Sequence, residues 1–261
     1  MKQLLISIFA ILLLCSPDGN TAEDAPSSQH EVVILLHGLA RSSRSMARLA
    51  WHLKQEGYRV ENLDYPSRHQ PIEQLAINVR QQIIDRIGGS QKIHIVSHSL
   101  GGILIRQIQA TSPLPSLARV VMLAPPNHGS EVVDKLGSLS LFDWVNGPAG
   151  KQLGTQSNSL PNSLGQPEFE LGILTGDRSI NWINSCLIPG PDDGKVSVES
   201  AKLNGMTDFK VMHVSHPYIM SDPIVRQHIF SFLKSGRFLE RGEMVFPSKS
   251  EQTLQRRIRH H

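Results

Sequence analysis

The residues in this chain best spaced for chemistry are a serine, an acid and a histidine spread over its middle and late thirds. In Ile95-Val96-Ser97-His98-Ser99-Leu100-Gly101-Gly102, two serines flank a histidine between an apolar run and a helix-like run. A serine on such a strand-to-helix corner sits on a strained turn with its hydroxyl presented, and small residues beside it let strand and helix backbones approach closely. The usual pattern is G-x-S-x-G. Here it is S-x-S-x-G, with Ser97 in the first glycine place, Ser99 as the nucleophile and Ser97 as a small spacer. Serine is also a favoured helix cap, so the pentapeptide alone leaves a capping role for Ser99 open.

Acyl transfer by a serine needs donors for the oxyanion, a base and an acid that orients it. Leu36-His37-Gly38-Leu39-Ala40 ends an earlier apolar run, and the N–H groups of Leu39 and Leu100 are the expected oxyanion donors. Where a serine sits on such a corner, the acid follows it in the chain and the histidine comes last. In Pro191-Asp192-Asp193-Gly194-Lys195-Val196-Ser197, Asp193 precedes the glycine and is the expected acid, with Asp192 its solvated neighbour; Glu199 and Asp134 are weaker rivals. In Val211-Met212-His213-Val214-Ser215-His216-Pro217, His213 falls in a strand pattern and His216 in the loop after it, so His216 is the expected base. His98 is expected to contact neighbouring loops. A metal role for His213 and His216 lacks the helical HExxH spacing or a carboxylate partner.

The elements needed to position these groups follow from the apolar pattern. Val32 to Leu36 is a continuous apolar run, as for a strand buried on both faces. Helix is predicted over 46–55, strand over 58–63, helix over 72–87 and strand over 93–96. Helix over 100–110, strand over 119–123, strands over 169–175 and 209–214 and a closing helix over 223–233 complete the series. Such alternation predicts an α/β fold, a mostly parallel central sheet with helices on both faces. Residues 131–166, rich in Gly, Ser, Asn and Pro, are expected as a helix and then a long loop.

Together LLHGLARSSRSM, IVSHSLGG, LAPPNHGSEVVD, GPDDGKVSVES and HVSHPYIM resemble the lipase and esterase branch of the α/β-hydrolase superfamily, from about Glu31 to about Arg237. The resemblance implies the α/β-hydrolase fold, Ser99, Asp193 and His216 as triad, Leu39 and Leu100 as oxyanion donors, and no cofactor. It implies a serine hydrolase of carboxylic esters, acting on a small-molecule or lipid ester, and leaves room for transient contact with a membrane surface. The chain has too little insertion for a full lid, and Leu141 to Val145 is the stretch that could form a short flap. The same groups could serve an acyltransferase or thioesterase, and a non-catalytic binding module on this scaffold is a third alternative.

A chain of 261 residues with 39% hydrophobic and 19% charged residues can build one sizeable core. A formal charge of +3, with basic residues spread along the chain until Arg256, Arg257 and Arg259, gives no case for nucleic-acid binding. Lys2, the apolar stretch Leu4 to Leu14 and a cleavage-like Asn20-Thr21-Ala22 read as a signal peptide over 1–22, hence export to periplasm or medium. Its removal would leave Cys186 alone and exclude an intramolecular disulfide. The hydrolase domain is expected over 30–237 and a disordered basic tail over 238–261.

Overall fold

The computed structural model describes residues 31–88, 92–137 and 140–240, giving only the backbone for 140–144. The expected leader 1–22 and the tail from 241 onward lie outside the described residues. Strands β1 (Glu31–Leu36), β2 (Arg59–Leu63), β3 (Lys92–His98), β4 (Leu117–Leu123), β5 (Glu170–Gly176) and β6 (Asp208–Met212) form one sheet in the order β2-β1-β3-β4-β5-β6. Every pairing between neighbours is parallel.

The period of two along β1 divides the core. Val32, Ile34 and Leu36 face helices α2 (Ile72–Ile87) and α3 (Leu100–Thr111), whose Leu75, Val79, Ile83 and Leu104 join the same apolar cluster. Val33 and Leu35 point the other way, toward α1 (Ala47–Gln55) and α9 (Pro223–Ser235), with Leu49, Leu53, Ile229 and Phe232. Both faces of β1 are dry, which is why its sequence is unbroken in apolarity. Register aligns Leu36 with Ser97 and Ser97 with Met122, so β1, β3 and β4 end side by side at one edge of the sheet.

Short or irregular helices fill the remaining connections: α4 (Glu131–Leu136) and α5 (Ser140–Lys151), then α6 (Leu160–Ser163) and α7 (Trp182–Ser185), with α8 (Val198–Ala201) beyond them. Residues 131–166 thus hold more helix than the expected helix and loop. Within α5 the chain breaks at Gly147, where φ is 63° and Pro148 follows. A Cβ at Gly147 would collide with the carbonyl oxygen of Arg68, so only glycine fits there.

The expected boundary at 237 is too early. Gly236 closes α9 in the left-handed conformation and reverses the chain. Phe238 is therefore carried back to the sheet, 1% exposed, its ring centroid 5.1 Å from that of Phe232 and its N–H donating to Asp208 Oδ2 at 2.6 Å. The last strand, expected to Val214, ends at Met212, because Val214 N–H turns back to the Met212 carbonyl at 2.8 Å.

Candidate active site

Ser99 stands between β3 and α3 with φ 51° and ψ −120°, a conformation that costs a non-glycine residue about 1–3 kcal/mol. Two backbone bonds hold it there: Ser99 N–H to the Leu123 carbonyl and Gly102 N–H to the Ser99 carbonyl, each 2.9 Å. Neighbouring glycines are required by contact, since a Cβ on Gly101 would lie 2.7 Å from the Leu36 carbonyl oxygen and one on Gly38 3.2 Å from Ser99 Cβ. The Ser99 side chain makes no capping bond to α3, which removes the capping role. Ser97 lies within β3, is fully buried and has no positive φ, as a packing spacer would.

The loop after β1 is braced from below. His37 is fully buried and stacks on Tyr65 with ring centroids 4.0 Å apart, while the Tyr65 hydroxyl donates to the His37 carbonyl. Burial holds the His37 imidazole below its usual range. Ala40, at φ 55°, donates its N–H to Ser67 Oγ at 3.1 Å. Among the described residues neither the Leu39 nor the Leu100 N–H has a hydrogen-bond partner. Leu39 lines the cavity wall beside Ser99.

Asp193 and His216 come from the connection between β5 and β6 and from the turn after β6. Their side chains meet at 2.7 Å, Asp193 Oδ2 to His216 Nδ1, and both are buried. Asp193 Oδ1 accepts from the N–H groups of Lys195 at 3.0 Å and Val196 at 2.9 Å. The two loops are tied again by His216 N–H to the Asp193 carbonyl at 2.9 Å. His98 lies against His216: its Nε2–H donates to the His216 carbonyl at 3.1 Å. Burial, and then the adjacent His216, keep the His98 imidazole far below the usual histidine range, hence neutral.

Other candidates are engaged elsewhere. His213 is exposed and pairs with Asp177 at 3.0 Å. Glu199 is exposed and paired with Lys202 at 2.7 Å, and Asp134 binds Thr155 and Gln156. Asp192 corrects the expectation of a solvated neighbour. It is 7% exposed, and its Oδ1 accepts from Ser185 Oγ at 2.8 Å and Gly194 N–H at 2.7 Å, fixing the turn that presents Asp193.

Two cavities meet at Ser99. One, of about 240 Å³, is mostly apolar, walled by Pro126, Val132, Val133, Leu136, Leu153 and Val196, with Val145 and Asn146 of α5 and Lys195 also lining it. Val145, at the end of the stretch that could form a flap, lines this cavity; the side chains of 141–144 lie outside the described residues. The second, of about 210 Å³, contains His216, Asp193 and His98 and carries Arg41, Asn181 and Lys195. Sequence reasoning singled out neither Arg41 nor Lys195. Their signal was position, since Arg41 directly follows the loop after β1 and Lys195 lies two residues after Asp193.

A strained serine at the carboxyl edge of a parallel sheet, sharing a cavity with a buried Asp–His pair, is the arrangement that nucleophilic chemistry on an α/β scaffold would need. Residues 33–196 match the model of the Alpha/beta hydrolase family, a span that includes Ser99 and Asp193 and stops before His216. The chain belongs to that family. It is 26% identical over 125 residues to lysosomal thioesterase PPT2-B of Xenopus laevis, covering 45% of this chain and 41% of that protein. It is 36% identical over 59 residues to triacylglycerol lipase of Pseudomonas fragi, covering 23% and 18%. The matched stretch is thus under half the length of either relative. In fold it is similar to the mature lipase BlEst2 of Bacillus licheniformis, with TM-score 0.59, 21% identity and coverage of 82% of this chain and 94% of that one. It is also similar to phospholipase PlaB of Legionella pneumophila, with TM-score 0.60, 19% identity and coverage of 79% and 57%.

Proposed function

We propose that this protein is a serine hydrolase of carboxylic esters, of lipase or esterase type, working through an acyl-enzyme on Ser99. The observation that carries the reading is the strained Ser99 facing the same cavity as the 2.7 Å Asp193–His216 pair. His216 Nε2 takes the Ser99 hydroxyl proton as Oγ attacks the ester carbonyl carbon, and Asp193 fixes the tautomer and offsets the imidazolium charge. The N–H groups of Leu39 and Leu100 receive the oxyanion. Collapse breaks the ester C–O bond, His216 returns its proton to the departing alcohol, and a water activated by His216 then releases the acid. The relatives' names, a lipase and a thioesterase, support the acyl chemistry and keep a thioester substrate as the second reading. Ile180 lines the polar cavity, and Trp182, Ile183 and Tyr218, large and exposed, lie within two positions of cavity-lining residues in the chain; these support transient contact with a lipid surface.

The test is a panel of oxygen esters and thioesters of graded acyl length, with and without an added alcohol acceptor, run on the wild type, Ser99→Ala and Ser97→Ala. A fluorophosphonate should label Ser99, and Ser99→Ala should lose roughly 10⁴ to 10⁶ in kcat. Ser97→Ala should keep most activity. A dead Ser97→Ala protein beside an active Ser99→Ala protein would refute the assignment.

A further inference from the structure

Resting on the ester-hydrolase reading, we infer that the substrate carries an anionic group on its leaving side, recognised by Arg41 and Lys195. The two cavities at Ser99 differ in chemistry, and the mechanism decides which part of an ester enters each. A leaving alcohol takes its proton from His216, so it must lie on the side of Ser99 where His216 stands. His216 lines the polar cavity and not the apolar one. The acyl chain therefore lies against Val132, Val133 and Leu136, and the alcohol part in the chamber that holds Arg41, with Lys195, which lines both cavities, at their junction.

Unpaired cations on an open surface are ordinary. These two differ in three respects. They line the cavity that contains the serine. Among the described residues neither has a carboxylate partner, although each is within reach of the other's charge: Lys195 is held below its usual range by crowding in the cleft and then by Arg41, and Asp193 offsets this only in part. Asp193 offers Lys195 no ion pair, because Oδ1 is taken by two backbone N–H groups and Oδ2 by His216. Finally, both cations ride on segments that also build the site, Arg41 just past the Leu39 loop and Lys195 through its own N–H on Asp193. Both side chains are exposed at the site, so solvent screens their mutual repulsion, and an anion entering beside them meets two positive charges with no competing carboxylate among the described residues. Arg offers a planar fork and Lys a mobile point charge, a pair suited to a phosphate or carboxylate oxygen cluster. The ester is thus an apolar acyl chain on an anionic alcohol, either soluble or a lipid with an anionic headgroup.

The test compares 2-nitrophenyl hexanoate with its sulfonated analogue, 4-hexanoyloxy-3-nitrobenzenesulfonate, each rate normalised by hydroxide hydrolysis. The anionic ester should be preferred in kcat/KM by about tenfold or more at low salt, and the preference should fall as salt screens it. Arg41→Gln and Lys195→Gln should each reduce that ratio severalfold and together bring it near one, while Arg41→Lys retains most of it. Parallel assays on mixed micelles of phosphatidylglycerol against phosphatidylcholine distinguish the sources: preference only in micelles assigns a lipid headgroup, and preference with the monomeric ester a soluble anion. Calorimetry of n-hexyl phosphate against 1-hexanol on Ser99→Ala reads recognition without turnover. Failure of esters to turn over would then strike the ester-hydrolase reading alone. A wild-type ratio near one in both assays, or tight hexyl phosphate binding that survives the folded Arg41→Gln, Lys195→Gln double variant, would overturn the inference.

Discussion

Replacing Asp193 by asparagine tests the site with a change of one atom, and the structure dictates how the new amide must sit. Asp193 Oδ1 accepts from Lys195 N–H at 3.0 Å and Val196 N–H at 2.9 Å, while Oδ2 meets His216 Nδ1 at 2.7 Å. In the variant the two backbone donors retain the amide oxygen, so the NH₂ faces His216. Turning the amide over would lose both bonds and oppose donors to donors, at a cost of about 3 kcal/mol, leaving roughly 1% or less in that orientation. An amide N–H facing Nδ1 makes that nitrogen the acceptor and moves the ring proton to Nε2, where a base for Ser99 is needed. The expected loss in kcat is about 10⁴, as for loss of the orienting carboxylate in a Ser–His–Asp triad, and no smaller than about 10². The assay is steady-state hydrolysis of a short-chain nitrophenyl ester, with circular dichroism and a thermal melt to show an intact fold. Asp192→Asn and His213→Ala, outside the pair, should change kcat by less than about tenfold, or ~1.4 kcal/mol of barrier. A folded Asp193→Asn protein within about tenfold of wild type would refute the reasoning, as would an active His216→Ala protein beside a dead His213→Ala one.

Gly101→Ala places a Cβ 2.7 Å from the Leu36 carbonyl oxygen and should cost about 1–3 kcal/mol, lowering Tm by a few degrees; an unchanged melt would contradict the close packing of α3 on β1. His98 is neutral in the fold, whereas in the unfolded chain it takes up a proton below about pH 6.5, so the unfolded state binds more protons and stability falls as pH drops below that value. His37 and His94, held down by burial, act in the same sense. His98→Gln should therefore flatten the dependence between about pH 7 and 5 by up to about 1.4 kcal/mol per unit, read from urea melts, and an unchanged slope would count against it. Export should remove Met1 to Ala22, so an intact mass of the secreted protein that retains them would refute the leader.

The sequence by itself determined the alternation of strands and helices, because burial on both faces demands unbroken apolar runs such as Val32 to Leu36 and amphipathic helices demand a 3.6-residue period. It also placed Ser99, since a strand-to-helix corner with Gly101 and Gly102 leaves a local trace. Its preference for Asp193 over Asp192 and for His216 over His213 rested on single-residue differences in loop position. What separates these neighbours physically is long-range: a carboxylate held by backbone donors on one oxygen and bonded to one imidazole on the other, and a His98 that donates to that histidine's backbone carbonyl. The burial of Asp192 and of Phe238 was illegible for the same reason, since one depends on Ser185 and Gly194 closing a turn and the other on Gly236 returning the chain to the sheet. Arg41 and Lys195 are far apart in sequence and look like ordinary surface cations there. Only folding brings them to one cavity, because the loops after β1 and β5 both end at the same edge of the sheet, and charges separated by 154 positions acquire a shared field only when the backbone closes that distance.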